Sequence, residues 1–166
     1  MLVLFSIAAF VALAIQTVIP RLLPSGMFVP DLVVILAVDL GLKHHQALAA
    51  AMAFAMGYAV DTFSGTQLGL NAFMMTLVFL FAYWLSRSLI STATVIGVIA
   101  VFFGVLAIDL GDYLIGSSFA NPGRVSAMMP PMLIQAAITA LLTPAVFAIM
   151  ARATRMVGLR QRSLRE

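Results

Sequence analysis

Aspartates inside or at the ends of apolar segments are the residues of this chain that could do chemistry. Carboxylates at membrane depth are costly, so each is a candidate functional residue. We expect four of them to converge on the outer end of a helical bundle, and the pattern predicts an outer carboxylate cluster formed by Asp31, Asp61, Asp109 and Asp112.

Pairs of aspartates could support acid–base catalysis within a membrane, but these lie near the interface and no second catalytic group accompanies them. The chain also contains no Ser-His-Asp constellation, HExxH motif, P-loop or nucleotide fingerprint. Cysteine is absent, and the adjacent His44 and His45 would point apart on a helix. We therefore predict neither an enzyme nor a site for a metal or a cofactor.

Two of the aspartates differ in how a helix would accommodate them. Asp31 follows Pro30, where it could act as a helix N-cap. Asp61 falls near a helix C-terminus, where the helix dipole disfavours a negative charge. Its carboxylate must therefore be held by a backbone N–H of the Ser64-Gly65 turn, by an arginine or by a neighbouring helix.

The remaining aspartates have simpler interpretations. Asp109 and Asp112 lie one helical turn apart on one face, where they join the outer cluster or simply reach water at the interface. Asp39 precedes Lys43 by four residues, the favourable order for an ion pair along a helix. We expect that pair to be structural.

The composition of the chain indicates which kind of secondary structure positions these side chains. Of the 166 residues 63% are hydrophobic and 9% charged, and the mean hydropathy is +1.13. An ordinary soluble domain is about half apolar and about a quarter charged, so a soluble monomer, a disordered tail and a nucleic-acid-binding domain are excluded. The long apolar runs lack the alternation of a membrane barrel and predict an all-α transmembrane bundle. Its six predicted segments are 2–19, 28–42, 46–63, 68–85, 94–115 and 129–151.

Segment 28–42 is the shortest of the six. It has fewer residues than the roughly 20 that a span requires, and it carries two aspartates. A tilted span or a re-entrant helix would fit it, and a five-span bundle without it is the alternative. We favour a span, because otherwise a long apolar loop would interrupt the bundle.

Basic residues predict the orientation in the membrane. With six spans and a cytoplasmic N-terminus, only Arg21 and Arg124 lie outside, on the side of the carboxylate cluster, where they could pair with it. We predict a transmembrane bundle over 1–151 and a basic cytoplasmic tail over 152–166, which anchors the topology or contacts anionic lipids or a partner. The predicted inner residues are Lys43, Arg87, Arg152, Arg155, Arg160, Arg162 and Arg165.

Small and polar residues recur at helical spacing on three segments. Ala49, Ala53 and Gly57 share one face with Asp61, and four-residue spacing of small side chains lets helices approach closely in lipid. Such stripes serve packing within the bundle or docking of another membrane protein. Two further stripes are Gly97, Gly104, Gly111 and Gln135, Thr139, Thr143.

One set of residues resembles a known family. Pro30-Asp31-Leu32, followed by Gly57-x3-Asp61-x2-Ser64-Gly65-x2-Leu68-Gly69-Leu70-Asn71-Ala72, is similar to the MreD family of bacterial rod-shape proteins. The resemblance implies a non-enzymatic component of the cell-elongation machinery for lateral peptidoglycan synthesis, in the bacterial cytoplasmic membrane. Implied partners are MreC, the MreB filament, RodA and a class B penicillin-binding transpeptidase. The structural or partner-binding motif would comprise Pro30, Asp31, Ala49, Ala53, Gly57, Asp61, Ser64, Gly65, Gly69 and Asn71.

The family in turn looks like the substrate-binding subunits of energy-coupling-factor transporters, which have six helices and an outward-facing pocket. That likeness implies that the outer aspartates rim the mouth of a pocket. The alternative function is therefore a membrane subunit that binds a small, vitamin-type substrate.

Overall fold

Six helices make up the part of the chain that the structure, a computed structural model, describes. That part comprises residues 2–22, 29–44, 46–64, 68–88, 93–116 and 123–163, and it contains no strand. The helices are α1 Leu2–Leu22, α2 Leu32–Lys43, α3 Ala47–Ser64, α4 Leu70–Ser88, α5 Ala93–Gly116 and α6 Gly123–Ser163.

Each predicted segment corresponds to one of these helices, and the largest differences in their bounds lie in α1, α2 and α6. Helix α1 continues past Pro20, where the sequence predicted its end. Helix α6 has 41 residues and includes three prolines. It runs without interruption through Ala151, where the sequence predicted a boundary between bundle and tail. Arg152, Arg155, Arg160 and Arg162 therefore belong to the last helix, and Arg165 lies outside the described residues.

Four helices are long and apolar enough to cross a membrane. Continuous apolar surface is expected of helices that face lipid, since lipid solvates large side chains as well as a protein interior does. The candidate spans among the described residues are Ala47–Ser64, Leu70–Arg87, Thr94–Leu114 and Met129–Met156.

Helix α2 is the centre of the bundle. Every residue from Val33 to Leu42 is buried, and α2 contacts each of the other five helices. A helix that is apolar all round must be buried or face lipid, and the structure buries this one. Its 12 residues give a length of about 18 Å, against about 30 Å for the hydrocarbon core. Residues 29–31 of the predicted segment lie outside the helix.

The surrounding helices contact one another in the order α1, α3, α4, α5 and α6. The glycines of α5 allow close approach in this shell. A Cβ at Gly104 would lie 3.0 Å from Cγ1 of Val78 on α4, whereas one at Gly97 would overlap the ring of Phe147 on α6. The glycine stripe of α5 therefore packs inside the bundle.

An ion pair lies at the C-terminal end of α2. Nζ of Lys43 lies 2.5 Å from Oδ1 of Asp39, as the spacing of the two residues predicted. The Asp39 side chain is only 1% exposed, whereas that of Lys43 is 37% exposed. The ammonium group also lies 5.3 Å from the centre of the Phe147 ring. Lys43 thus compensates a carboxylate that the bundle has removed from water.

Replacing Lys43 with methionine should destabilise the protein because the buried Asp39 carboxylate would lose its counter-charge. A fully buried pair costs about 3–5 kcal/mol when broken, and the partial exposure of Lys43 reduces our expectation to about 1–2 kcal/mol. Thermal unfolding in detergent should show a lower midpoint for K43M and recovery in the double variant D39L/K43M. An unchanged midpoint for K43M would contradict this role of the pair.

Candidate functional site

The four aspartates of the predicted outer cluster do meet at one end of the bundle, called here the aspartate end. Asp31 lies within electrostatic range of both Asp109 and Asp112. Asp61 lies within the same range of Asp112. The opposite end, which carries Lys43, is called the basic end. The bundle is therefore polarised along its axis.

Asp31 joins three helices at the N-terminus of α2. Its Oδ1 accepts a hydrogen bond from the Val34 N–H (3.2 Å), which confirms the predicted N-cap. The Gln16 amide of α1 donates to the same oxygen (3.0 Å) and to the Pro30 carbonyl (3.1 Å). The Asp31 N–H donates to Oγ1 of Thr139 on α6 (3.1 Å). The start of the central helix is thus fixed from two sides.

Thr139 and Thr143 of the polar stripe on α6 are buried, as expected for side chains that face protein. The Thr139 hydroxyl donates to the Gln135 carbonyl (2.8 Å), and the Thr143 hydroxyl donates to the Thr139 carbonyl (3.2 Å). Sequence reasoning missed Gln16. Its signal was available, because Gln16 is the one amide side chain in the largely apolar sequence of α1.

Asp61 reaches across from α3 to the N-terminus of α4. It is completely buried. Its Oδ2 accepts from the backbone N–H groups of Gly69 (2.9 Å) and Ala72 (3.2 Å), and its Oδ1 accepts from that of Asn71 (3.1 Å). Among the partners that the sequence left open, the described residues include the neighbouring helix, whose first N–H groups bind this carboxylate. The dipole of α4 favours the charge that the dipole of α3 disfavours.

Two glycines make this contact between α3 and α4 possible. A Cβ at Gly57 would lie 2.6 Å from Cα of Ala72 and would overlap the Asn71 carbonyl oxygen, so the two backbones touch there. Gly69 adopts a φ of +97°, which residues with a side chain rarely adopt. We call this set, Gly57, Asp61, Gly69, Asn71 and Ala72, the α3–α4 lock.

The small-residue stripe of α3 belongs to the interior. Ala49, Ala53 and Gly57 are all buried, and α3 packs most extensively on α4. The structure thus uses the stripe for packing within the bundle, one of its two predicted uses.

Other predicted residues contribute less to this end of the bundle. Ser64 ends α3 and is exposed. Oδ2 of Asp109 is buried and has no hydrogen-bond partner among the described residues. Gly65 and the side chains of Arg21 and Arg124 lie outside the described residues, so their predicted pairing with the aspartates stays a prediction.

A chamber of about 400 Å³ lies beyond the N-terminus of α2. It borders the start of α2, since Val29 and Asp31, which precede that helix, contribute to its lining. Its walls come from α1, α3 and α6, together with the chain that leads into α2. The lining residues are Leu13, Gln16, Thr17, Val29, Asp31, Val60, Phe63, Ser64 and Gln135.

Comparison with known proteins identifies one family. The model for the rod shape-determining protein MreD matches residues 1–153. No curated protein and no solved structure gives a significant match. The match covers all six helices except the last turns of α6.

Substitutions at Asp61 should separate hydrogen bonding from charge. Leucine would leave three N–H groups at the start of α4 without an acceptor and should cost about 2 kcal/mol or more. Asparagine keeps one acceptor oxygen and should cost less. The measurements are the unfolding midpoint in detergent and the abundance in membranes. Equal losses in D61L and D61N would show that the negative charge is what the site requires.

Alanine at Gly57 should destabilise the bundle by about 1–3 kcal/mol, because the added methyl group would meet the α4 backbone, which cannot rotate away. Gly104 provides the matched control, since its neighbour is the movable side chain of Val78. Unfolding midpoints measured in the same detergent should fall further for G57A than for G104A. The reverse order would contradict the close backbone contact.

Proposed function

Since this chain belongs to the rod shape-determining MreD family of membrane proteins, we propose that it is a non-enzymatic component of the bacterial cell-elongation complex. In this role it binds MreC and helps to position the machinery that synthesises lateral peptidoglycan, including MreB, RodA and a class B penicillin-binding transpeptidase. The observation that carries the proposal is the family match over residues 1–153.

The contacts of the aspartate end support a scaffolding role. Asp31 caps α2, and Asp61 caps α4 from a neighbouring helix. Both carboxylates thus hold the bundle together, since N–H groups engage both oxygens of Asp61 and Oδ1 of Asp31. A stable arrangement of helices is what a membrane protein needs in order to present a fixed surface to its partners.

The proposed location is the bacterial cytoplasmic membrane, with several spans and the C-terminus in the cytoplasm. Support comes from the basic end, where Lys43 and Arg87 lie in the last turns of α2 and α4. Arg152 and Arg155 are among the last five residues of the candidate span Met129–Met156, and both are exposed. Basic residues concentrate on the cytoplasmic side of membrane proteins.

The surface that contacts MreC would be one of the lipid-facing sides of the shell, because the small-residue stripe of α3 is occupied by packing. The absence of native cysteine makes a cross-linking scan of these sides straightforward. Single cysteines would be placed at exposed positions on five helices: Val11, Tyr58, Phe81, Phe103 and Ile149.

In cells, cysteines on one side of the bundle should cross-link to an MreC-like single-span protein, while the buried A53C control should not. Tagged wild-type protein extracted in mild detergent should retain the same partner. Loss of the protein should make rod-shaped cells round, and D61N should restore the shape better than D61L, because it preserves part of the α3–α4 lock. Normal cell shape without the protein, together with no cross-link at any position, would refute the proposal.

The chamber favours a second candidate, a substrate-binding subunit of an energy-coupling-factor transporter, whose fold this bundle would share. The chamber holds about 400 Å³ at one end of the bundle and carries polar side chains. A water-soluble vitamin bound there should raise the unfolding midpoint of the purified protein. Neighbouring genes for MreB and MreC would favour cell elongation, whereas neighbouring ATPase genes would favour transport.

A further inference from the structure

An apolar cleft runs along the bundle between α1 and α3 and adjoins the chamber. It holds about 220 Å³. Leu13 and Phe63 line both spaces, so the cleft and the chamber are direct neighbours. The cleft is lined by Ser6, Ala9, Phe10, Leu13, Met52, Ala55, Met56, Ala59 and Phe63.

The dimensions of the cleft suit a hydrocarbon chain. Along α1 the lining of the cleft extends from Ser6 to Leu13, and that of the chamber continues to Thr17. The two together measure about 16 Å, or about half of the hydrocarbon core of a bilayer. That is the depth of one leaflet. A transmembrane helix is about 10 Å wide and would not enter a space of 220 Å³.

The hydrogen-bonding groups of the chamber are mainly acceptors, because several donors are already engaged. The two N–H donors of the Gln16 amide bind the Pro30 carbonyl and the Asp31 carboxylate. The Thr17 hydroxyl donates to the Leu13 carbonyl (2.8 Å). What Gln16 and Thr17 still offer is oxygen lone pairs, and Asp31 adds its carboxylate, so a molecule that brings N–H donors finds acceptors in the chamber.

Charge narrows the choice of head group. Asp31 lines the chamber, and Asp109 and Asp112 are within electrostatic range of it. The ion pairs of the described residues do not include Asp31. An anionic head group would be repelled here, whereas a primary ammonium supplies both a positive charge and three N–H donors.

We infer that the cleft and the chamber together form a binding site for a lipid-like amphiphile. One apolar chain lies in the cleft between α1 and α3, and a head group with a primary ammonium lies in the chamber beside Asp31 and Gln135. This site is additional to the proposed role in cell elongation, and either could exist without the other.

The test is native mass spectrometry of the purified full-length protein, mixed in turn with three phospholipids of equal chain length. Phosphatidylethanolamine has the primary ammonium, phosphatidylcholine keeps the charge but lacks N–H donors, and phosphatidylglycerol is anionic. Retention of phosphatidylethanolamine should be about tenfold higher than that of either other lipid, the factor expected for a charge-assisted hydrogen bond. Equal retention of the three would overturn the inference.

Two variants locate the site. Ala55→Phe fills the cleft, and its matched control Ala145→Phe adds the same ring at an exposed position of α6 outside the site. Asp31→Asn removes the charge but keeps an N-cap residue. A55F should lose lipid binding about tenfold, D31N should lose the preference for phosphatidylethanolamine, and A145F should behave as wild type.

Retention in A55F equal to that of the wild type would overturn the inference, as would an unchanged preference in D31N. If A55F does not fold by circular dichroism, the milder Ala59→Leu variant fills the same cleft. Stabilisation by a water-soluble vitamin that survives the cleft-filling substitution would show that the chamber acts alone and would contradict a site for an amphiphile.

Discussion

Burial of the central helix is the constraint on which the rest of this structure depends. α2 is apolar on every side, and the bundle encloses it with five helices. Within such a core both helix ends must find partners, because water is not there to satisfy them. At the start, Asp31 and Gln16 supply them; at the end, Lys43 neutralises Asp39 and the His44 N–H bonds the Leu40 carbonyl.

The two ends of that helix have different surroundings. At the basic end Lys43 in its last turn meets Phe147 on α6, whereas at the aspartate end a chamber borders its N-cap, Asp31. The α3–α4 lock lies at this same end and keeps two helices of the shell in backbone contact. The loose side of the bundle lies between α1 and α3, where the cleft opens. Around α2, the shell is therefore closely packed between α3 and α4 and open between α1 and α3.

Sequence reasoning predicted the features that depend on local spacing. The helices, the Asp31 cap and the pair of Asp39 with Lys43 all follow from residues within a few positions of each other. The central position of α2 could not be predicted, because lipid and protein interior are both apolar and hydropathy does not distinguish them. Neither could the partner of Asp61, since its carboxylate bonds residues eight to eleven positions away across a turn.

The residues that resemble the family also share a structural logic. Gly57 brings two backbones together, Asp61 caps the helix that arrives, and Gly69 turns the chain so that this helix can begin there. Each of the three residues depends on the other two. A side chain at Gly57 would move α4 out of reach of the Asp61 carboxylate. A displaced turn at Gly69 would remove the N–H groups that this buried carboxylate accepts from. The motif is therefore first a device for folding a hairpin of two spans. Any surface that binds a partner must be sought among residues that the bundle presents to the lipid, where no local spacing rule marks them.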